Sequence, residues 1–307
     1  VSTPSPQTER RAEARGLWLG LFGVLIFSLT LPMTRLAVGT VEAPQLSGLF
    51  IAFGRAAVAG LLSLLFLAAT RAPLPRRSDW PLIALTSAGA VFGFPIFTSI
   101  AMRHVEAVHA SVMLGLLPLA TAAVGARVQR QRPSPGFWAC ATLGSALVAG
   151  FALLRSGGPG GGLHWADGLL LAAMGWAALS YVSGARLSGR MRADHVICWA
   201  LVIALPASAP GALLSWPEQA IAARAWWGFG YVAVFSMWLG FFAWYRGLAL
   251  GGTVRVSQVQ LAQPFFSMLL AVPLLGETLD ALTLGFGLAV IATVFVGRHM
   301  PVQTSRP

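Results

Sequence analysis

The chain has 307 residues, of which 56% are hydrophobic and 10% charged, and its mean hydropathy is +0.73. A soluble globular domain carries about 25% charged residues and needs polar cover for its surface, so this composition excludes a water-soluble protein and places the chain in a bilayer. The net charge is +11, and every one of the 21 basic residues is arginine, which leaves no lysine for a Walker-type phosphate loop or for a Schiff base.

ATP-driven transport by this chain alone is therefore excluded, as is pyridoxal chemistry. The arginines are scattered between apolar runs and form no patch, which argues against a nucleic-acid partner. Cys140 and Cys198 both fall in apolar runs, so neither a disulfide nor a metal site is expected.

A polar, basic tail (1–15) precedes the first apolar run and predicts a retained span rather than a cleaved leader. A membrane helix needs about 20 apolar residues. By that measure spans are expected at 16–40, 44–70, 78–103, 106–131 and 134–154, then at 164–188, 194–215, 222–249, 252–275 and 278–298. The first contains Pro32, the second Arg55, and the third Phe94, Pro95 and Thr98. The fourth opens with Glu106 and His109 on one helical face, then carries Ser111 and Pro118. Gly157 to Gly162 reads as a loop between two halves, 16–155 and 164–298. The sixth span carries Trp176, Ser180 and Tyr181, and the eighth carries Trp238, Phe241, Phe242 and Tyr245 at helical spacing. The ninth carries Ser257, Gln258, Gln260, Gln263 and Pro264, and a short tail (299–307) ends the chain.

Arginine checks the number of spans. With the N-terminus inside, the cytoplasmic segments hold 16 arginines and the opposite segments hold 4, with Arg55 left within a span. A miscount of one span would scramble this positive-inside pattern, so ten spans with both termini cytoplasmic are predicted. Pro118 and Pro264 lie 146 residues apart, as do Ser111 and Ser257. Two halves of five spans each would enter the membrane in opposite senses, as inverted repeats do in secondary transporters. The matched prolines are expected to act as hinges.

Arg55 in FIAFGRAAVAGLLSL, the prolines of spans four and nine, and Leu274–Leu275–Gly276–Glu277 closing span nine make the chain resemble the drug/metabolite transporter superfamily. Within it the likeness is to the EamA branch and to bacterial amino-acid exporters of the YddG type, over about 16–298. Val128–Gln129–Arg130 departs from the second Leu-Gly-Glu ending often found in the first half. The resemblance implies an all-α bundle of ten helices around a central cavity, exporting small metabolites across the inner membrane.

None of the ten acids is expected at mid-membrane, which predicts no carboxylate-based proton coupling. Arg55 either takes a substrate carboxylate or bonds carbonyls exposed by a kinked neighbour, and the second role is preferred. Glu106 with His109 forms either a proton relay or a polar contact at the membrane edge. Glu277 with Thr278 is expected to cap the last helix.

The glutamines of span nine need a polar cavity, because an amide facing lipid is costly. With the hydroxyls Thr98, Ser111, Ser180 and Ser257 and the aromatics Phe94, Trp176, Tyr181, Trp238, Phe242 and Tyr245, they predict a site for small neutral or zwitterionic solutes. Amino acids lead, with multidrug or other metabolite export as the alternative. A channel would need charge rings or carbonyl filters, and an intramembrane hydrolase would need a catalytic pair that the sequence lacks. The partners expected are solute and lipid, as monomer or homodimer, with no cofactor.

Overall fold

The structure is a computed structural model that describes residues 6–128, 131–155, 164–251, 256–298, 300 and 302–304. The described residues form an all-helical membrane protein. Seven helical stretches are long and apolar enough to cross a bilayer: 14–38, 48–69, 77–101, 107–125, 165–188, 193–214 and 223–250. Three shorter apolar helices, Pro135–Val148, Gln263–Leu275 and Ala281–Thr293, occupy the places expected for spans five, nine and ten. The chain order therefore runs through ten helical segments of described residues, named below by their order.

Proline accompanies four of the five irregular points, although Pro206, Pro210 and Pro273 lie within unbroken helices. It lacks an N–H and clashes with the preceding turn, so the disruption falls on its N-terminal side. The first segment breaks at Leu29, between Pro6–Ser28 and Thr30–Val38, ahead of Pro32. The third passes through a π-helical stretch, Ser87–Gly93, before Pro95 in Phe94–Ala101. The fourth breaks between Ala107–Leu114 and Leu117–Val128, ahead of Pro118. The ninth begins as a 3-10 helix, Ser257–Ala262, before Pro264 in Gln263–Leu275. The eighth has a π stretch with no proline, Val232–Leu239, between Ala223–Tyr231 and Gly240–Gly251.

Packing follows a regular scheme. The second segment lies on the seventh and the fifth on the tenth. The first packs on the eighth and ninth, and the third and fourth pack on the sixth. Two buried hydroxyl pairs mark these contacts, Thr30 with Ser236 (first and eighth) and Thr86 with Ser183 (third and sixth), each at 2.8 Å.

Polar ties sort to two ends of the bundle. At one end Arg190 Nη1 donates to Asp79 at 3.0 Å, joining the connections that follow the sixth and second segments. A two-stranded antiparallel sheet, Gln131–Pro133 with Val302–Thr304, joins the connection after the fourth segment to the one after the tenth. The other end is tied more densely. Arg35 donates to the Met102 carbonyl at 2.6 Å, Arg103 to the Leu46 carbonyl at 2.7 Å, and Arg224 to the Leu274 carbonyl at 3.1 Å.

Glu277 is the centre of that end. Gly276 adopts the left-handed conformation (φ 70°) and returns its N–H to Val272, stopping the ninth helix. The turn delivers the Glu277 carboxylate to the start of the fourth segment, where it accepts from the amides of Ala107 and Val108, both at 2.8 Å. The expectation that Glu277 caps the last helix is thereby corrected. Asp280 does that, accepting from Thr283 N at 2.8 Å, while the Leu-Gly-Glu ending ties one half of the chain to the other.

Candidate functional site: a cavity bounded by broken helices

A broken membrane helix has backbone groups without intrahelical partners, and these are tolerated only against protein or water. Five irregular points come together on one cavity. Thr30 follows the break of the first segment, Ala90 lies in the π stretch of the third, and Leu114 ends the upper part of the fourth. Ser236 lies in the π stretch of the eighth, and Gln263 follows the 3-10 turn of the ninth. The cavity has about 540 Å³ of empty space, its open mouth included. A second cavity of about 300 Å³ shares Leu31, Leu114, Leu117 and Gln263 with the first and adds Ser111, Gln260, Pro264 and Ser267.

Among the described residues, Arg55 is the only charged one that lines the larger cavity. It sits near the middle of Gly48–Ala69 and is 2% exposed. Its Nε and Nη1 find no hydrogen-bond partner among the described residues. The expected bonds to carbonyls of a kinked neighbour are therefore absent at these two donors. An unpaired guanidinium at this depth costs about 2.5–3.5 kcal/mol on insertion scales. Its environment is otherwise neutral: Thr30, Ser180, Ser236 and Gln263 supply polar groups, and Phe27, Phe94, Tyr181 and Phe241 supply aromatic faces.

The sequence-predicted residues divide as follows. Phe94, Ser180 and Tyr181 line the first cavity, and Ser111, Gln260 and Pro264 the second; the Tyr181 side chain reaches Gln260. Thr98 is buried one turn beyond Phe94 and spends its hydroxyl on the Phe94 carbonyl at 2.6 Å. Trp176 packs against Gly93, where a Cβ would overlap the indole. Trp238 and Phe242 form an aromatic cluster with Phe66, at centroid distances of 5.0–6.1 Å, away from the cavity. Tyr245 is buried over Gly184. The side chains of Ser257, Gln258 and Pro118 lie outside the described residues, as does the whole of 156–163.

Sequence reasoning missed Phe27, Thr30, Ala90, Ser236 and Ser267 as lining residues. Thr30 and Ser267 each lie within a few residues of a proline, which was the available signal; Ser236 has none, because nothing in the sequence marks its π stretch. His109 also differs from expectation. Its partner is Asp167 of the sixth segment, with Nε2 and Oδ1 2.7 Å apart. Glu106, exposed at the head of the fourth segment, acts electrostatically on Arg35 and Glu277 instead.

Comparison with known proteins agrees with this architecture. The model of the EamA-like transporter family matches the chain twice, over residues 14–154 and 164–298. The "Uncharacterized transporter YdeK" of Bacillus subtilis (strain 168) is 42% identical over 285 residues, spanning 92% of this chain and 96% of that protein. A solved crystal structure with 21% identity superposes with a TM-score of 0.62, covering 92% of this chain and 96% of the other, and so shares the fold. The chain belongs to the EamA-like transporter family and is a multi-pass membrane transporter of the drug/metabolite superfamily.

Proposed function

We propose that the protein is a secondary exporter of small zwitterionic metabolites, amino acids with apolar or aromatic side chains above all, working by alternating access. One observation carries this reading: a buried arginine whose Nε and Nη1 have no partner among the described residues, in a cavity whose described lining holds no acid. Such a group favours a ligand that brings one carboxylate, which a guanidinium grips through two parallel N–H bonds. The hydroxyls and Gln263 suit an ammonium, and Phe27, Phe94 and Phe241 suit an apolar side chain. Cationic drugs would lack a counter-carboxylate, and sugar phosphates would bring more charge than one arginine neutralises.

We further propose ten crossings arranged as two inverted five-helix repeats, with both termini cytoplasmic in the inner membrane. The double family match supports it. So does the packing scheme, which is unchanged when segments one to five are exchanged with six to ten. The two π stretches begin 145 residues apart, at Ser87 and Val232, close to the spacing of the paired prolines. Every polar tie and the strand pairing join connections that ten crossings put on one face. Arginine enrichment at the Asp79 end favours that end as cytoplasmic.

A proteoliposome panel of radiolabelled amino acids, quaternary ammonium drugs and sugar phosphates tests the substrate class. Saturable amino-acid exchange with counterflow supports the reading, and preference for either other class refutes it.

A further inference from the structure

We propose, against the expectation of no carboxylate-based coupling, that His109 and Asp167 form the proton site that couples solute export to a proton gradient; this rests on the transport reading above. The couple joins the two halves of the chain at the densely tied end. His109 lies in the first turn of Ala107–Leu114 and Asp167 in the first turn of Trp165–Ser188, with Nε2 and Oδ1 2.7 Å apart. Asp167 is 1% exposed, and an isolated carboxylate buried that far is driven to its neutral form. Here both oxygens are held: Oδ1 by His109, and Oδ2 by the backbone N–H of His164 at 3.2 Å.

The imidazole is the member that changes. A neutral ring that donates through Nε2 keeps a lone pair on Nδ1. One proton taken from water adds there, no bond within the protein breaks, and the couple passes from a buried anion to a neutral imidazolium–carboxylate pair. That pair ties the halves more tightly than the singly charged couple does. Phe151 of the fifth segment packs tilted against the ring, centroids 5.1 Å apart, and is uncharged. The charged and titratable groups around the couple are Glu106 on its own helix, Glu277 on the adjacent amides, Arg35 from the first segment, and His164, His104 and Arg103 at the same end. Burial, followed by His164 and the two arginines, holds the His104 ring below the usual histidine range, so it does not duplicate the site.

The helix that carries His109 also carries Ser111 and Leu114 into the solute cavities. Protonation at this end therefore closes the cavity from the same side after the solute has left. In the proposed orientation one proton then enters as one solute leaves.

The test uses the full chain in proteoliposomes, radiolabelled leucine as probe, and the membrane potential clamped at zero with potassium and valinomycin. One-for-one exchange lets a one-unit pH gradient hold about tenfold accumulation at steady state. Asp167→Asn and His109→Gln should each fall to a ratio of about one, a value independent of how fast a variant turns over. Leucine exchange by the wild-type chain without gradient-driven accumulation, or an unchanged ratio in both variants, overturns the proposal.

A wild-type chain that moves no leucine refutes the amino-acid reading instead, and the proton site is then decided by distance. Spin labels at Val41→Cys and Leu279→Cys, both exposed at this end, are placed in a chain carrying Cys140→Ser and Cys198→Ala. The short-distance population should grow on acidification and lose that dependence with Asp167→Asn. The same dependence with and without Asp167, or none at all, overturns the proposal.

Discussion

Replacing Arg55 with leucine separates a binding role from a structural one, because the two predict opposite signs. If the guanidinium waits for a solute carboxylate, the empty protein carries an unpaired buried cation at a cost of about 2.5–3.5 kcal/mol. Replacing buried charge with a well-packed apolar side chain stabilises proteins by about 1–4 kcal/mol. Arg55→Leu should therefore raise the thermal midpoint of the empty protein in detergent. Solute binding moves the other way. Removing one partner of a buried charge pair costs about 2–5 kcal/mol, and a loss of about 3 kcal/mol within that range weakens leucine binding roughly 150-fold. Isoamylamine, which is leucine without its carboxylate, should lose no affinity in the variant, since its ammonium gains nothing from Arg55. Scintillation-proximity binding and tryptophan-monitored unfolding on the same preparations measure both effects. A lowered midpoint with unchanged leucine affinity would refute the reasoning and return Arg55 to a role in holding the bundle together.

Gln260→Leu and Gln263→Leu should each slow leucine exchange about tenfold or more while the folded yield is kept, since each removes one buried hydrogen-bonding group worth about 1–2 kcal/mol; unchanged rates in both would detach the ninth segment from the site. Gly184→Ala should destabilise by about 1–3 kcal/mol, because its Cβ would overlap the Tyr245 ring; an unchanged unfolding midpoint contradicts that packing. Burial pushes the Glu277 carboxyl above its ordinary range, against the lowering effect of the Ala107 and Val108 amides. The folded state therefore holds that proton more tightly than the unfolded chain, and the contribution is lost as pH rises through the raised value. Midpoints measured from about pH 4 to about pH 7 should show this decline in wild type and a flatter profile in Glu277→Gln.

The parts of this architecture visible in the sequence are those set by local chemistry. Apolar runs mark the helices, and prolines mark where four of them yield, at Pro32, Pro95, Pro118 and Pro264. What stayed hidden depends on register or on distance along the chain. Trp238 lies inside a π stretch, where an extra residue per turn rotates every following side chain relative to a 3.6-residue stripe. As a result Phe241 lines the cavity, while Trp238 and Phe242 pack on Phe66. Glu277 looked like a local cap, yet it acts on amides 169 and 170 residues away. His109 has an acid three residues earlier, but its buried partner lies 58 residues later. Asp167 carries no sequence signal of its own, because burial at a helix end leaves no trace in a hydropathy profile.

Alternating access to the cavity at Ser236 is the most direct test of the whole account. Ser236→Cys, in a chain carrying Cys140→Ser and Cys198→Ala, should react with a membrane-impermeant thiol reagent applied from either side of oriented vesicles. Leucine should protect it from both sides. A cysteine that reacts from neither side, or reacts without protection by any amino acid, would contradict the placement of the solute site between the two halves.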